Sequence, residues 1–235
     1  HRTTNWINPD KNNRGPQGPP DWNWRGLKAG DVTLAGLLRD NGYRTIHIGK
    51  GHFAPDRHEG ADPRNLGFDV NVGGAAIGHP GSYYGRKNYG KGSRQAVPHL
   101  EKYHGTDTFL TEALTLEAKA EEDKALAAAK PFFLYMPHTM VHVPLFRSEE
   151  FAGKSRRGLY GDAVEEIDWS VGRILDTLRE RDLDKKTLVF FTSDNGPHNE
   201  AGQHLDRFDP ASPMKGKNRA QYEGGNRLLA IAWLE

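Results

Sequence analysis

The chain has 235 residues, enough for one large domain or two small ones around a buried core. Its 32 Lys and Arg against 31 Asp and Glu leave a net charge of +1, without the basic excess that a phosphate-tracking surface needs, so nucleic acid is excluded as a partner. No apolar run approaches the roughly 18 residues of a membrane span, and the absence of cysteine excludes disulfides, thiolate metal sites and a thiol nucleophile within these residues.

The opening His1-Arg2-Thr3-Thr4-Asn5-Trp6 carries no Met and no charged segment followed by an apolar core, which reads as a processed chain or a fragment. Residues 1–30 hold Asn-Pro, Gly-Pro and Pro-Pro steps and three tryptophans without period 2 or 3.6, and are expected to form an irregular arm. Asp31 is placed to cap a helix that buries Leu34, Leu37 and Leu38 on one face, with Asn41-Gly42 as its stop. Tyr43 to Ile48 reads as a strand. Gly49 to about Gly105 is a Gly-, His- and Tyr-rich stretch with no clear period, and loops of that length are functional or disordered.

A second helix is predicted from about Asp107 to Ala129, burying Phe109, Leu110, Ala113, Leu114 and Leu116, and it feeds the apolar run 132–136, a buried strand. Tyr160, Val164, Ile167, Val171, Ile174, Leu175 and Leu178 recur at three- and four-residue spacing, the strongest helical signal in the chain. Thr187 to Thr192 then reads as a third buried strand and Leu228 to Leu234 as a fourth. No repeat or linker divides the sequence, so residues 1–235 are expected to form a single α/β segment. Alternating helices and continuous apolar strands predict a mostly parallel central sheet with helices on both faces, whose ligands collect at the carboxyl ends of the strands.

Polar residues suited to chemistry follow each strand. After the first come Lys50 and His52, two apart; on extended backbone they would point the same way, one grounding a tetrahedral anion and the other handling a proton, or they are a surface lysine and a loop histidine. After the second, His138 and His142 suit a general acid, a metal site or loop packing, with zinc the weakest option because cysteine and a third histidine at ligand spacing are missing. After the third, Asp194-Asn195 offers two adjacent oxygen donors suited to a hard cation such as Ca²⁺ or Mg²⁺, or a simple turn. The segment from Lys215 to Gly225 combines cations with a glycine pair, but neither nucleotide-binding glycine motif is present.

Five segments together carry a resemblance: residues 42–52, Pro131 to Tyr135, Tyr160 to Gly172 with Glu165, Asp168 and Trp169, Phe191 to Pro197, and Tyr222-Glu223-Gly224-Gly225. In order and spacing they resemble the central part of a type I sulfatase, related to the arylsulfatases and the alkaline phosphatase superfamily, with the catalytic domain incomplete at both ends. The resemblance implies that Lys50 contacts the sulfate and the nucleophile, that His52 orients or deprotonates the nucleophile, and that His142 lies near the leaving oxygen. It also implies that Asp194 and Asn195 ligate a divalent cation, usually Ca²⁺ with Mg²⁺ as the alternative. Lys217 is assigned to substrate, one position from Asn218, where the family lysine would fall.

The family's nucleophile is a formylglycine made from Cys or Ser in a Cys/Ser-x-Pro-x-Arg motif, and a pair of Asp completes the metal site. Neither occurs here, and both are expected upstream of His1, so these residues alone are expected to be inactive. The implied substrate is a sulfated small molecule or sulfated carbohydrate, with Tyr83, Tyr84, Asn199, Glu200 and His204 on loops that could choose it. The implied compartment is periplasmic, secreted or lysosomal. Two rival functions are a phosphoryl-transfer hydrolase of the same superfamily and a non-catalytic carbohydrate-binding fragment.

Overall fold

Thr33, two residues after the expected Asp31, caps the first helix, α1 (Leu34–Asp40), its hydroxyl accepting from the Gly36 N–H at 2.9 Å. The computed structural model describes residues 26–197, 213–217 and 222–234, which fall in two compact units, one ending at Thr139 and the other beginning at Met140. Most of the expected N-terminal arm, residues 1–25, lies outside the described residues.

In the first unit α1 is followed by β1 (Arg44–Ile48), β2 (Val70–Val72), α2 (Leu110–Ala127) and β3 (Phe132–Tyr135). The three strands form a parallel sheet in the order β2-β1-β3, with Ile46 opposite both Val70 and Leu134. β1 is therefore central. Its side chains alternate between two faces. Arg44 reaches Glu121 on α2, while the Thr45 hydroxyl donates to the Gly67 carbonyl, and the Gly67 backbone lies so close to Gly36 of α1 that no Cβ would fit between them.

The buried face of α1 differs from the leucine face read in the sequence. Leu34 and Leu37 are exposed and Ala35 is buried, because the helix approaches Gly67 through its smallest residues. On α2, Phe109, Leu110, Ala113 and Leu114 are buried as expected, but Leu116 is exposed. β2 lies inside the stretch that showed no period; three residues are too few for an alternation to register.

The second unit contains α3 (Gly158–Glu180), β4 (Val189–Thr192), α4 (Glu223–Asn226) and β5 (Ala230–Trp233). β4 and β5 pair antiparallel, Phe190 opposite Ala232. The fold class is α/β around a parallel sheet, as expected, but this pair departs from the parallel rule, since an apolar run specifies a strand and not its direction. Phe190 is 68% exposed and Ile231 50%, so the expectation of burial for these strands is corrected within the described unit. The buried side of α3 is also more polar than its apolar spacing suggested. Val164 is exposed, whereas Asp162 and Glu166 are buried and hold the preceding loop: Asp162 accepts from the N–H groups of Gly153 and Ser155, and Glu166 from that of Ser148, each at 2.8 Å.

Two carboxylates give opposite pH signatures. Burial alone would raise the Glu121 pKa, but hydrogen bonds from Arg44 and Lys124 prevail and hold it below the ordinary carboxylate value. That contribution is present above the unfolded-state pKa and disappears as pH falls through the folded one. Glu121→Ala strands a half-buried guanidinium and should destabilise the protein by about 2 kcal/mol at neutral pH, read by urea denaturation. Burial pushes Glu166 up to about 7, with Glu150 adding to the rise and Arg147 opposing it. The folded state then holds a proton that the unfolded chain releases, so stability falls as pH rises from the ordinary glutamate range towards 7. Glu166→Gln keeps the acceptor for Ser148 and should flatten the melting-temperature profile between pH 5 and 8; an unchanged profile would remove Glu166 as its source.

Candidate active site

In the first unit the candidate residues gather where β1 ends. Gly49 leaves the strand at φ 127, a conformation open to glycine, and a Cβ there would meet the Pro137 carbonyl oxygen. The loop is held from both flanking strands: Gly49 N–H donates to the Val72 carbonyl at 2.9 Å, and Lys50 N–H to that of Pro137 at 2.9 Å. His52 N–H then donates to the Ala75 carbonyl at 2.7 Å. These are the carboxyl ends of parallel strands, where ligands gather in such sheets.

Beneath the loop lies His47, fully buried on β1. Its Nδ1 is 3.2 Å from Asn71 Oδ1 and its Nε2 3.2 Å from the Lys50 carbonyl oxygen. The Asn71 amide is itself oriented by Gly74, donating to the Gly74 carbonyl and accepting its N–H. Phe53, Phe68 and Tyr135 surround the ring at centroid distances of 5.3–5.7 Å. Burial pushes the imidazole down to about 4, so it is neutral at physiological pH and acts as a post, not as a cation. The sequence reading missed His47 as a positioning residue; its signal was a histidine at an inward-facing strand position three residues before Lys50.

The structure brings Lys50 and His52 together, although not on extended backbone. His52 has φ 69, a left-handed conformation uncommon outside glycine. Both side chains nevertheless lie against Gly78: a Cβ on that glycine would come within 2.5 Å of Lys50 Cε and 3.0 Å of His52 Nδ1. An ammonium and an imidazole held over one glycine can bind a tetrahedral anion and carry a proton beside it. Tyr83 is corrected as a substrate-selecting residue: it is 3% exposed and stacks on Phe109, with burial pushing its phenol above the ordinary range. Tyr84 packs edge-on against the same Phe109, under the Arg86 guanidinium. His138, half-buried, is likewise pushed down to about 4 by burial.

The second unit carries the other candidates. Asp194 and Asn195 are exposed at the end of β4, Asn195 Nδ2 donating to Asp194 Oδ1 at 2.6 Å. Glycine contacts fix this turn: Gly196 N–H donates to the Gly225 carbonyl at 3.0 Å, and Gly224 N–H to that of Lys215 at 2.8 Å. The Asp194-Asn195 turn and the Lys215–Lys217 segment thus rest on one glycine pair, with Lys217 exposed. His142 lies on a separate segment, exposed, its Nδ1 2.7 Å from the Val143 carbonyl oxygen. Asn218, Asn199, Glu200 and His204 are outside the described residues.

The donors fit a hard cation, because the second Asp194 oxygen and the Asn195 carbonyl are both oxygen ligands and the turn that presents them is exposed. Among the described residues no group of three His, Cys, Asp or Glu converges to hold a metal, and two oxygen donors alone would fill only part of a shell of six to eight.

The Sulfatase family model matches residues 6–230. The chain belongs to the sulfatase family. N-acetylgalactosamine-6-sulfatase of Mus musculus is 33% identical over 229 residues, 88% of this chain and 41% of that protein. An arylsulfatase of Hemicentrotus pulcherrimus is 29% identical over 90% of this chain and 39% of its own length. Steryl-sulfatase of Homo sapiens is 44% identical over 52% of this chain. Among solved structures, Ps i-CgsB in complex with k-i-k-neocarrahexaose superposes with a TM-score of 0.70 at 25% identity, covering 89% of this chain and 48% of that one. The chain thus spans about two fifths of the length of the first two of these relatives and about half of that solved chain.

Gly78→Ala tests the convergence of Lys50 and His52. The methyl collides chiefly with the end of a flexible lysine, which can swing aside, so the melting temperature should hold while Lys50 is displaced. Aryl sulfate hydrolysis by the full-length protein should fall at least about tenfold in kcat/KM; an unchanged rate would detach Gly78 from the site.

Proposed function

We propose that the protein is a sulfuric ester hydrolase and that this chain supplies its sulfate-holding and proton-handling groups. The observation that carries the reading is the convergence of Lys50 and His52 over Gly78 at the carboxyl ends of the parallel strands. In the net reaction water adds across the ester: the sulfur–oxygen bond breaks, hydrogen sulfate departs, and the leaving oxygen gains a proton. Lys50 offsets charge on the sulfate oxygens, most effectively where water is excluded. His52 holds or moves the proton of the attacking group. His142 gives the proton to the leaving oxygen.

Asp194 and Asn195 would hold a Ca²⁺, with Mg²⁺ as the alternative; the ion would polarise the sulfate oxygens. Lys217 is assigned to the substrate. A formylglycine, implied by the family resemblance, would supply the attacking oxygen, and no motif for it occurs among these 235 residues. A sulfated carbohydrate is the substrate class best supported: one relative is named for N-acetylgalactosamine 6-sulfate, and one neighbouring structure holds a neocarrahexaose.

The decisive experiment compares 4-nitrophenyl sulfate with 4-nitrophenyl phosphate as substrates of the matured full-length protein. Preference for the phosphate would establish the phosphoryl-transfer alternative, and sugar binding without turnover would favour a carbohydrate-binding role. Lys50→Ala should lower kcat/KM for the sulfate by about 10² to 10³. Asp194→Ala should lose both Ca²⁺ affinity, measured by calorimetry, and most turnover, and retention of both would end the ligand assignment.

A further inference from the structure

The loop that presents Gly78 to Lys50 and His52 continues directly into His79, and Gly78 and His79 open onto a small cleft with space for a group or two the size of water. Lys50 lines that cleft. So do His79 and Gln95, from two segments that meet there, while Val97 and Leu114 supply apolar wall. Gln95 Nε2 lies 2.5 Å from His79 Nε2, the amide donating to the ring nitrogen.

This pair sits on a rigid frame. Gly81 N–H donates to the Gln95 carbonyl at 2.7 Å, and the Gly90 and Gly81 backbones approach so closely that a Cβ on Gly90 would sit 2.6 Å from Gly81 Cα. Gln95 N–H also donates to Ser93 Oγ at 3.2 Å, and Ser93 Oγ to the Gly90 carbonyl at 2.7 Å. Neither segment can shift without opening this glycine contact, so the two polar groups are preorganised before any ligand arrives.

We propose that His79 and Gln95 form a hydroxyl-reading subsite beside Lys50, which selects esters of polyhydroxylated alcohols, such as sugars, over esters of phenols or sterols. The inference rests on the sulfate-ester reading above and adds to it the residues that choose the alcohol. A carboxamide and an imidazole each carry a donor and an acceptor, as does an alcohol hydroxyl, so a hydroxyl entering the cleft can replace the bond they make to each other. The cleft takes a substituent, not a whole sugar ring, so the group read is a hydroxyl next to the ester. An alcohol lacking that hydroxyl gains nothing in exchange for separating the pair. Polar sites of this kind discriminate far more strongly than apolar ones against a partner that cannot make the bond.

The test measures kcat/KM for galactose 6-sulfate and for 4-nitrophenyl sulfate in the matured full-length protein and in Gln95→Leu, His79→Leu and Gln95→Glu. The ratio of sugar to aryl ester should fall at least tenfold in either leucine variant and also in Gln95→Glu, which keeps the side chain's length but lacks the amide N–H that meets His79. A ratio within threefold of wild type in both leucine variants overturns the subsite. So does a common fall in both substrates at constant ratio, which would mark a structural role. Wild-type protein that cleaves only phosphate esters sinks the sulfate reading and not the subsite, which is then decided by the same ratio for galactose 6-phosphate against 4-nitrophenyl phosphate.

Discussion

A buried imidazole holds the lysine loop. His47 stands on the central strand with one ring nitrogen facing Asn71 Oδ1 and the other the Lys50 carbonyl oxygen. Because burial keeps it neutral, the ring has one N–H and donates to one of these two oxygens at a time, while the orientation of the Asn71 amide is fixed independently by Gly74. Phe53, Phe68 and Tyr135 pack around the ring and complete its burial. The loop after β1 is thereby tied to the loop after β2 through side chains as well as through the backbone. A charged residue at position 47 would have to be desolvated without a partner, and an apolar one would offer no ring donor to either oxygen.

Glycine does comparable work around the reactive side chains. Gly49 lets the chain pass beneath Pro137, Gly51 lies against the Ala75 backbone, and Gly78 leaves the space that the ends of Lys50 and His52 occupy. In the second unit, Gly196, Gly216 and Gly224 perform the same function for the turn carrying Asp194 and Asn195. Backbone contacts of this closeness position side chains without large apolar anchors. The positioning energy comes from hydrogen bonds to the main chain, which stay in register only while no side chain separates the segments.

Three of the buried carboxylates divide between two kinds of partner. Glu121 is matched by cations and stays ionised, joining α2 to β1. Asp162 and Glu166 instead collect backbone N–H groups from the loop that precedes α3, so one helix face serves as the acceptor array for a segment with no regular structure of its own. This explains the mismatch between the apolar spacing of α3 and its burial. A face that holds a loop by accepting hydrogen bonds must spend buried positions on carboxylates.

The sequence by itself determined the α/β class, the strand before Lys50, the long helices and the residue types of the site, because apolar runs, helical spacing and strand-end polar residues are local properties of the chain. It also carried the family, through motifs such as those around Lys50 and Asp194 whose order is preserved along the chain. Tertiary structure decided the rest. Which side of α1 is buried depended on the close approach of Gly36 and Gly67, not on where the leucines fell. That β4 and β5 run antiparallel depended on pairing between segments about forty residues apart, and a strand's apolar content is the same in either direction. The meeting of Lys50 and His52 came from Gly78, which follows them by more than twenty residues, while His52 itself left the extended backbone that their spacing implied. Periodicity records which residues avoid water; it holds no record of which backbone will come within contact distance, and that is what positions this site.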